Sequence, residues 1–133
     1  MREIKFRGRV KNTNKPQWVY GIVIPPQYSS WEDWTLFDGE RRWIVDPETV
    51  GQYTELCDSE GKEVYEGDIL EFDYRKRREK GCVRYSKYGI FVSNDVYLHD
   101  DGLIYVLKQR NAKVIGNAID NPEILKGGED GED

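Results

Sequence analysis

The chain has 133 residues, of which 38% are hydrophobic and 34% are charged, and its formal net charge is −5. This length and composition predict a single folded domain with at most a short appendage. No apolar run approaches the roughly 20 residues of a membrane helix and no signal-peptide core is present, so we expect a cytoplasmic protein without membrane association.

The first part of the chain predicts a β-hairpin over residues 1–26. Residues 4–10 alternate between apolar or glycine positions and basic side chains, which indicates a half-buried strand with a basic outer face. Residues 18–24 predict the second strand, and Pro25-Pro26 ends it because proline cannot donate to a sheet ladder.

Residues 27–45 predict an aromatic loop followed by a second hairpin. Asp38-Gly39 is a strong turn signal between two short apolar segments. Trp31 and Trp34 stand three residues apart and form a candidate aromatic surface for binding. The alternative, which their size favours, is that they cover an open end of a barrel.

Residues 46–125 predict the core of the domain, and turn signals are densest at its start. Asp46-Pro47 indicates a stop and turn, residues 58–61 a tight turn, and Glu66-Gly67-Asp68 a corner before an apolar strand. Glu66 and Asp68 are also a candidate carboxylate pair for acid–base or metal chemistry. Turn chemistry alone explains both residues, so we favour the structural role.

A basic hairpin follows, with a strand at 69–74, a charged connection at 75–81 and a return strand at 82–85. Basic side chains contact phosphates, and neighbouring aromatic rings stack on unpaired bases. The candidates for binding nucleic acid or a protein partner are Tyr74, Arg75, Lys76, Arg77, Arg78, Lys80, Arg84 and Tyr85. The alternative is a solvated tip whose charges protect sheet edges from aggregation. The pI of about 5.0 weighs against nucleic acid.

The remaining residues predict short strands at 90–92, 103–107 and 113–119, a helical turn at 121–125 and a disordered acidic tail at 126–133. Strands separated by turns about every 8 to 12 residues, without a sustained helical period, predict a mainly β fold. We expect a small barrel or sandwich of short antiparallel strands, with SH3-like small-barrel character and little helix. An α+β fold is the alternative.

Catalytic motifs are not apparent in the sequence. His99 is the sole histidine and lies in a turn-like segment, so we expect a surface residue rather than a metal ligand or general base. Cys57 and Cys82 lack a partner motif, and we expect both to be small buried or half-buried residues. The sequence therefore predicts no enzyme, no metal and no cofactor.

Charge is strongly segregated along the chain. Residues 1–17 carry six basic residues against one acid, residues 32–68 twelve acids against three bases, and residues 71–87 seven bases against three acids. Such asymmetry predicts a charged partner surface or head-to-tail self-association.

Three segments carry a family resemblance: the opening residues 1–8 (MREIKFRG), the middle 45–69, and the end at 114–117 (VIGN) followed by 121–125 (NPEIL). Together they resemble the YopX family, small proteins encoded by phages and prophages of Gram-positive bacteria. The resemblance implies one domain over 1–125 in a protein of the host bacterial cytoplasm, and it is compatible with a homo-oligomer. The family-motif positions, which we expect to be structural, are Gly51, Gln52, Tyr53, Gly61, Gly67 and Asp68.

Two functional hypotheses follow. The first is a non-enzymatic, self-associating protein-interaction module, which the segregated charge and the abundant Trp and Tyr favour. The second is a small-barrel nucleic-acid-binding protein that uses the basic hairpin at 75–80.

Overall fold

The structure, a computed structural model, describes residues 3–87, 89–93 and 101–125. Its chain divides into two compact units, Met1–Tyr53 (unit 1) and Thr54–Asp133 (unit 2). The boundary falls inside a strand rather than in a linker, and the single domain over 1–125 stays a prediction. The predicted tail at 126–133, Tyr88 and His99 lie outside the described residues.

Unit 1 is an antiparallel sheet with the strand order β4-β3-β2-β1-β5. Turn chemistry and proline end its strands: Pro26–Tyr28 and Pro47–Thr49 are single 3-10 turns, and the Asp46 carboxylate caps the second by accepting from the Glu48 amide. The strands are β1 Phe6–Arg9, β2 Trp18–Ile24, β3 Thr35–Phe37, β4 Arg42–Ile44 and β5 Gly51–Cys57, the last of which continues into unit 2.

One face of this sheet packs a small core. The buried residues are Val19, Leu36 and Val45, with Val10, Trp34, Trp43 and Val50 packed against them. The basic outer face expected for β1 is wrong at Arg7, which is only 8% exposed, whereas Ile4 is 58% exposed. The Arg7 guanidinium lies 4.8 Å from the Trp18 ring centroid, and stacking of this kind lets the cation sit in an apolar environment.

Unit 2 contains a second antiparallel sheet with the order β10-β9-β8-β7-β11. Its strands are β7 Asp68–Tyr74, β8 Arg77–Ser86, β9 Gly89–Ser93, β10 Asp101–Gly102 and β11 Lys113–Asn117. A short strand, β6 Glu63–Tyr65, lies beside the end of β5 in the sheet order. Residues 122–125 form the helical turn expected near the end.

The strand predicted at 103–107 is wrong, because these residues begin helix α1, Leu103–Gln109. Leu103, Val106 and Leu107 follow helical spacing and contact the unit 2 core. The buried residues of that core are Val64, Leu70, Phe72, Val83, Val92, Leu103, Val106 and Ala112. The mainly β class is confirmed, and the strands in the described part of the chain form two antiparallel sheets without closing into a barrel.

The Asp58 carboxylate joins the β5–β6 turn to β11. Its Oδ1 accepts from the amides of Glu60 at 2.8 Å and Lys62 at 2.9 Å, and its Oδ2 accepts from the Val114 amide at 2.9 Å. The Ser59 amide adds a bond to the Ala112 carbonyl at 3.0 Å. Burial acts to raise the pKa of Asp58, but the amides from Val114, Lys62 and Glu60 outweigh it and lower that pKa.

Replacing Asp58 with alanine removes the acceptor of all three amides. We expect the free energy of unfolding to fall by about 2–4 kcal/mol, because a buried amide without a partner costs roughly 1–3 kcal/mol and amides at the turn regain water. Urea unfolding followed by circular dichroism measures the change. Asp46→Ala is the control, since it removes one cap bond and costs about 1 kcal/mol; equal losses in the two variants would contradict the role of Asp58.

Candidate interaction surfaces

The corner Glu66-Gly67-Asp68 is a structural turn. Asp68 is 2% exposed, and its Oδ2 accepts from the Tyr65 amide at 2.7 Å. Gly67 has φ 93 and donates its amide to the Val83 carbonyl, a left-handed conformation that suits glycine. In the described ranges no group of three or more His, Cys, Asp or Glu side chains is placed to hold a metal ion.

The other family-motif positions lie on β5 and in the turn that follows it. Gly51 is buried and pairs with Arg7, Gln52 pairs with Phe6, and Tyr53 is 8% exposed. Gly61 has φ 84 in the turn that Asp58 organises. Gly51 and Gly61 thus lie where strands pair and where the chain turns, and the structural role expected for the whole set stays a prediction.

Cys57 is exposed and Cys82 is buried. The expectation of a buried or half-buried thiol is therefore wrong for Cys57, which is the last residue of β5 before the Asp58 turn. Cys82 pairs with Ile69 and with Ser93 in the middle of its sheet, where a small apolar side chain fits.

The basic hairpin has a two-residue turn, Arg75-Lys76, between β7 and β8. Arg75 has φ 58 and both turn residues are exposed. Beyond the turn, alternation along β8 distributes the candidate residues over the two faces of the sheet. Arg77 shares a face with its partner Tyr74, whereas Arg78 lies on the opposite face with Asp73.

Lys80, Arg84 and Tyr85 occupy the rest of the strand. Lys80 pairs with Glu71, so it faces an acid across the ladder. Arg84 and Tyr85 are both exposed but, being adjacent, they point to opposite faces; they pair with Phe91 and Ile90. The eight candidates therefore do not form one continuous surface.

Arg78 is engaged within unit 2. Its Nη1 donates to Asp73 Oδ1 at 2.7 Å and to the Asn111 carbonyl at 3.1 Å, and its Nη2 donates to the Glu71 carbonyl at 3.1 Å. Partial burial acts to lower the pKa of Arg78, but the hydrogen bond and charge of Asp73, with those of Glu71, raise it. Arg77 Nε lies 2.5 Å from Glu79 Oε2. Acidic residues of the same hairpin thus form ion pairs with both arginines.

Arg110 contacts both the hairpin and the ring of Tyr105, which the sequence did not indicate. The Arg110 guanidinium lies 5.3 Å from the Tyr74 ring centroid and 5.1 Å from that of Tyr105. Its Nη1 donates to the Asp73 carbonyl at 3.2 Å, 37 residues away in the chain. Arg75 lies 5.3 Å from the Tyr74 centroid. No local sequence pattern could reveal a contact between residues so far apart in the chain.

The two tryptophans of the predicted aromatic surface are in different environments. Trp31 is 41% exposed, and the Arg42 guanidinium lies 4.5 Å from its ring centroid. Trp34 instead packs against the unit 1 core. Trp31 alone remains available at the surface, and it faces an arginine.

The protein is β-rich, and its described residues include charged hairpins and exposed aromatic rings. Among those residues there is no cluster of potential metal ligands. A family model described as YopX protein matches residues 5–126. The chain therefore belongs to the YopX family. No curated protein matches it. In the residues that the structure describes, no helix is long and apolar enough to cross a membrane.

Asp38 holds the β3–β4 turn and the adjacent Trp43. The amides of Arg41 and Glu40 donate to its Oδ1 at 2.7 and 2.8 Å, and the Trp43 indole N–H donates to its Oδ2 at 2.8 Å. Chiefly through the Arg41 amide, then the indole and the Glu40 amide, the pKa of Asp38 falls from 3.8 to about 2.

This pKa predicts an acid-dependent change at Trp43. Because the folded-state pKa lies below the unfolded one, the stabilisation is complete above pH 3.8 and is lost as pH falls toward 2. We expect the fluorescence difference between the wild type and Trp43→Phe to titrate with a midpoint near 2. Asp38→Asn, which cannot titrate, lacks this transition, and a midpoint at the ordinary value would contradict the assignment.

Proposed function

We propose that this YopX-family chain is a phage- or prophage-encoded, non-enzymatic protein-interaction module that self-associates in the host bacterial cytoplasm. The family supports the phage origin. One observation carries the self-association: unit 2 presents a basic hairpin tip and an acidic hairpin of opposite sign. The partner is a second copy of the chain, because one copy carries both complementary surfaces.

The basic surface is the tip Arg75-Lys76. Both side chains are exposed, and the neighbouring acids Asp73 and Glu79 pair with Arg78 and Arg77. These two acids therefore form ion pairs with Arg78 and Arg77, and they do not neutralise the positive charge of the tip. It lies at the end of the β7–β8 ladder.

The acidic surface is the β5–β6 hairpin with the residue that follows it. Residues 54–68 contain six acids and one base. Asp58 and Asp68 are buried and serve the backbone, as described above. The acids that reach the surface are the exposed Glu55 and Glu60 and the half-buried Glu63 and Glu66.

A contact between the tip of one copy and the acidic hairpin of the next is head-to-tail, and repeating it builds a ring or an open chain. An exposed ion pair contributes only about 0–1 kcal/mol, so several must act together. Charges at the surface are screened within about 10 Å at 0.1 M salt. Association is therefore strongest at low salt and weakens as salt is added.

Charge reversal tests the contact. Arg75→Glu/Lys76→Glu makes both surfaces acidic, and Glu55→Lys/Glu60→Lys makes both basic, so each variant alone loses self-association by like-charge repulsion. Mixing the two restores it, because each supplies the surface that the other lacks. Light scattering after size exclusion at low and moderate salt measures the mass against the 15.6 kDa monomer.

Lys11→Glu/Lys15→Glu is the matched control, since it makes the same change of charge at two exposed residues of unit 1. It retains the mass of the wild type. A wild type that stays monomeric at low salt, or reversed variants that assemble like the wild type, would show that the proposal is wrong.

Nucleic-acid binding by the basic hairpin is the second candidate function. The observation that favours it is Arg110, which adds a further cation beside Tyr74, the ring that Arg75 also contacts, and which contacts the ring of Tyr105 as well. Cations contact phosphates while exposed rings stack on bases. The engagement of Arg78 with Asp73 and Glu71 weighs against it.

Fluorescence anisotropy with labelled DNA and RNA, single- and double-stranded, tests this candidate. The variant Arg75→Ser/Lys76→Ser/Arg77→Ser retains Arg78, which holds β7 and β8 to Asn111. We expect weaker binding and a salt slope smaller by about one for each lost phosphate contact. Binding equal to that of the wild type would exclude the hairpin.

A further inference from the structure

The second face of the unit 1 sheet carries exposed rings on neighbouring strands. Ile22 on β2 pairs with Phe37 on β3, which pairs with Arg42 on β4. Cross-strand partners share a face, as do residues two apart along a strand, so Tyr20 lies on this face beside Ile22. Tyr20 is 45% exposed, Ile22 49% and Phe37 43%.

Gly21 allows β2 and β3 to approach closely at this point. A Cβ on Gly21 would overlap the Phe37 carbonyl oxygen, so only glycine fits. The close approach keeps Ile22 next to Phe37 and leaves Tyr20 on the same surface. Three large side chains thus form a platform on a regular sheet rather than on a loop.

Within strands β1 to β4, the charges of this face are all positive. Strands β1 to β4 contain three charged residues, Arg7, Arg9 and Arg42. Arg7 pairs with Tyr20, Arg9 with Trp18, and Arg42 with Phe37, so all three arginines belong to the face that carries the rings. The opposite face, with Val19 and Leu36, packs the core.

Stacking holds two of these arginines in place. Arg42 donates Nε–H to Thr35 Oγ1 at 2.9 Å and lies 4.5 Å from the Trp31 centroid, while Arg7 lies 4.8 Å from that of Trp18. Arg7 is buried and contributes charge beneath the surface, whereas Arg9 and Arg42 are partly exposed. A preordered cation loses less conformational entropy when it binds an anion.

The rows of Arg9 and Arg42 are separated by four residues of β2, Trp18 to Ile22, or about 13 Å at the usual rise of a strand. The exposed ring of Tyr20 lies between these two rows, and that of Phe37 lies in the row of Arg42. This arrangement of spaced cations flanking aromatic rings suits a strand whose phosphates and bases alternate. A duplex hides the faces of its bases and cannot stack on such rings.

We propose that this face of unit 1 binds single-stranded nucleic acid, with Tyr20 and Phe37 stacking on unpaired bases and Arg9 and Arg42 contacting phosphates. The proposal is independent of the basic hairpin of unit 2 and of self-association. Base stacking tolerates any sequence, since every base has a π-face. DNA and RNA share the chemistry used here, so the experiment tests both.

The test is fluorescence anisotropy with labelled oligothymidylate, oligouridylate and a matched DNA duplex, at low and physiological salt. Tyr20→Ser/Phe37→Ser raises the Kd for both single strands at least about tenfold, because each stacked base contributes substantially to affinity. Tyr28→Ser, which removes a ring that is 76% exposed but lies off the sheet, leaves the Kd unchanged.

Arg42→Gln lowers the slope of log K against log salt by about one, the amount expected for one lost phosphate contact. Its neighbour Arg41, which stacks on Trp43, supplies the control Arg41→Gln with an unchanged slope. Circular dichroism confirms that each variant is folded. The hairpin variant Arg75→Ser/Lys76→Ser/Arg77→Ser keeps at least part of the affinity, which separates the two surfaces.

Three results would overturn the proposal. They are the absence of single-strand binding by the wild type at low salt, equal affinity of the wild type and Tyr20→Ser/Phe37→Ser, and duplex binding as tight as single-strand binding. A loss in Tyr28→Ser as large as that in the double variant would likewise assign the affinity to general surface aromaticity. A negative result in this binding test would not contradict self-association, because self-association is tested separately by molecular mass and charge reversal.

Discussion

Three backbone amides converge on the buried carboxylate of Asp58, and this convergence ties the β5–β6 turn to β11. The adjoining residues 110–112 also receive the β7–β8 hairpin, because Arg78 donates to the Asn111 carbonyl and the Asp73 amide donates to the Arg110 carbonyl. One short segment thus anchors both the acidic and the basic hairpin of unit 2. These hydrogen bonds do not use the exposed side chains of Arg75, Lys76 or Glu60.

Acidic residues, and likewise arginines, occur in two kinds of environment in this chain. Asp58 and Asp68 satisfy buried amides, while Glu55 and Glu60 lie at the surface. Among the arginines, Arg78 binds two acids and two backbone carbonyls, whereas Arg75 lies in an exposed turn. Burying a charge without a partner is costly, so the buried carboxylates are those that accept hydrogen bonds from backbone amides. The proposed self-association would depend on these exposed charges rather than on the total charge of the chain.

Unit 1 uses arginine differently. Its strand arginines lie on one sheet face among aromatic rings, and the contacts that hold them are stacking contacts as well as hydrogen bonds. Guanidinium is weakly hydrated and planar, which lets it remain charged against a ring. The face that results combines order, positive charge and exposed rings, and it is distinct in chemistry from the hairpins of unit 2. The two proposed contacts, one on each unit, therefore differ in chemistry.

Local chemistry in the sequence determined the mainly β class, most strands, the Asp38-Gly39 and Asp58 turns and the family, because alternation and turn residues act over a few positions. Tertiary structure alone decided that residues 103–109 form a helix, since Leu103, Val106 and Leu107 fit a core that distant strands create. It also buried Arg7, separated Trp31 from Trp34, and brought Arg110 to Tyr74. The candidate residues were recognisable by type, but their faces and partners depend on register and on contacts far apart in the chain, which no local pattern encodes.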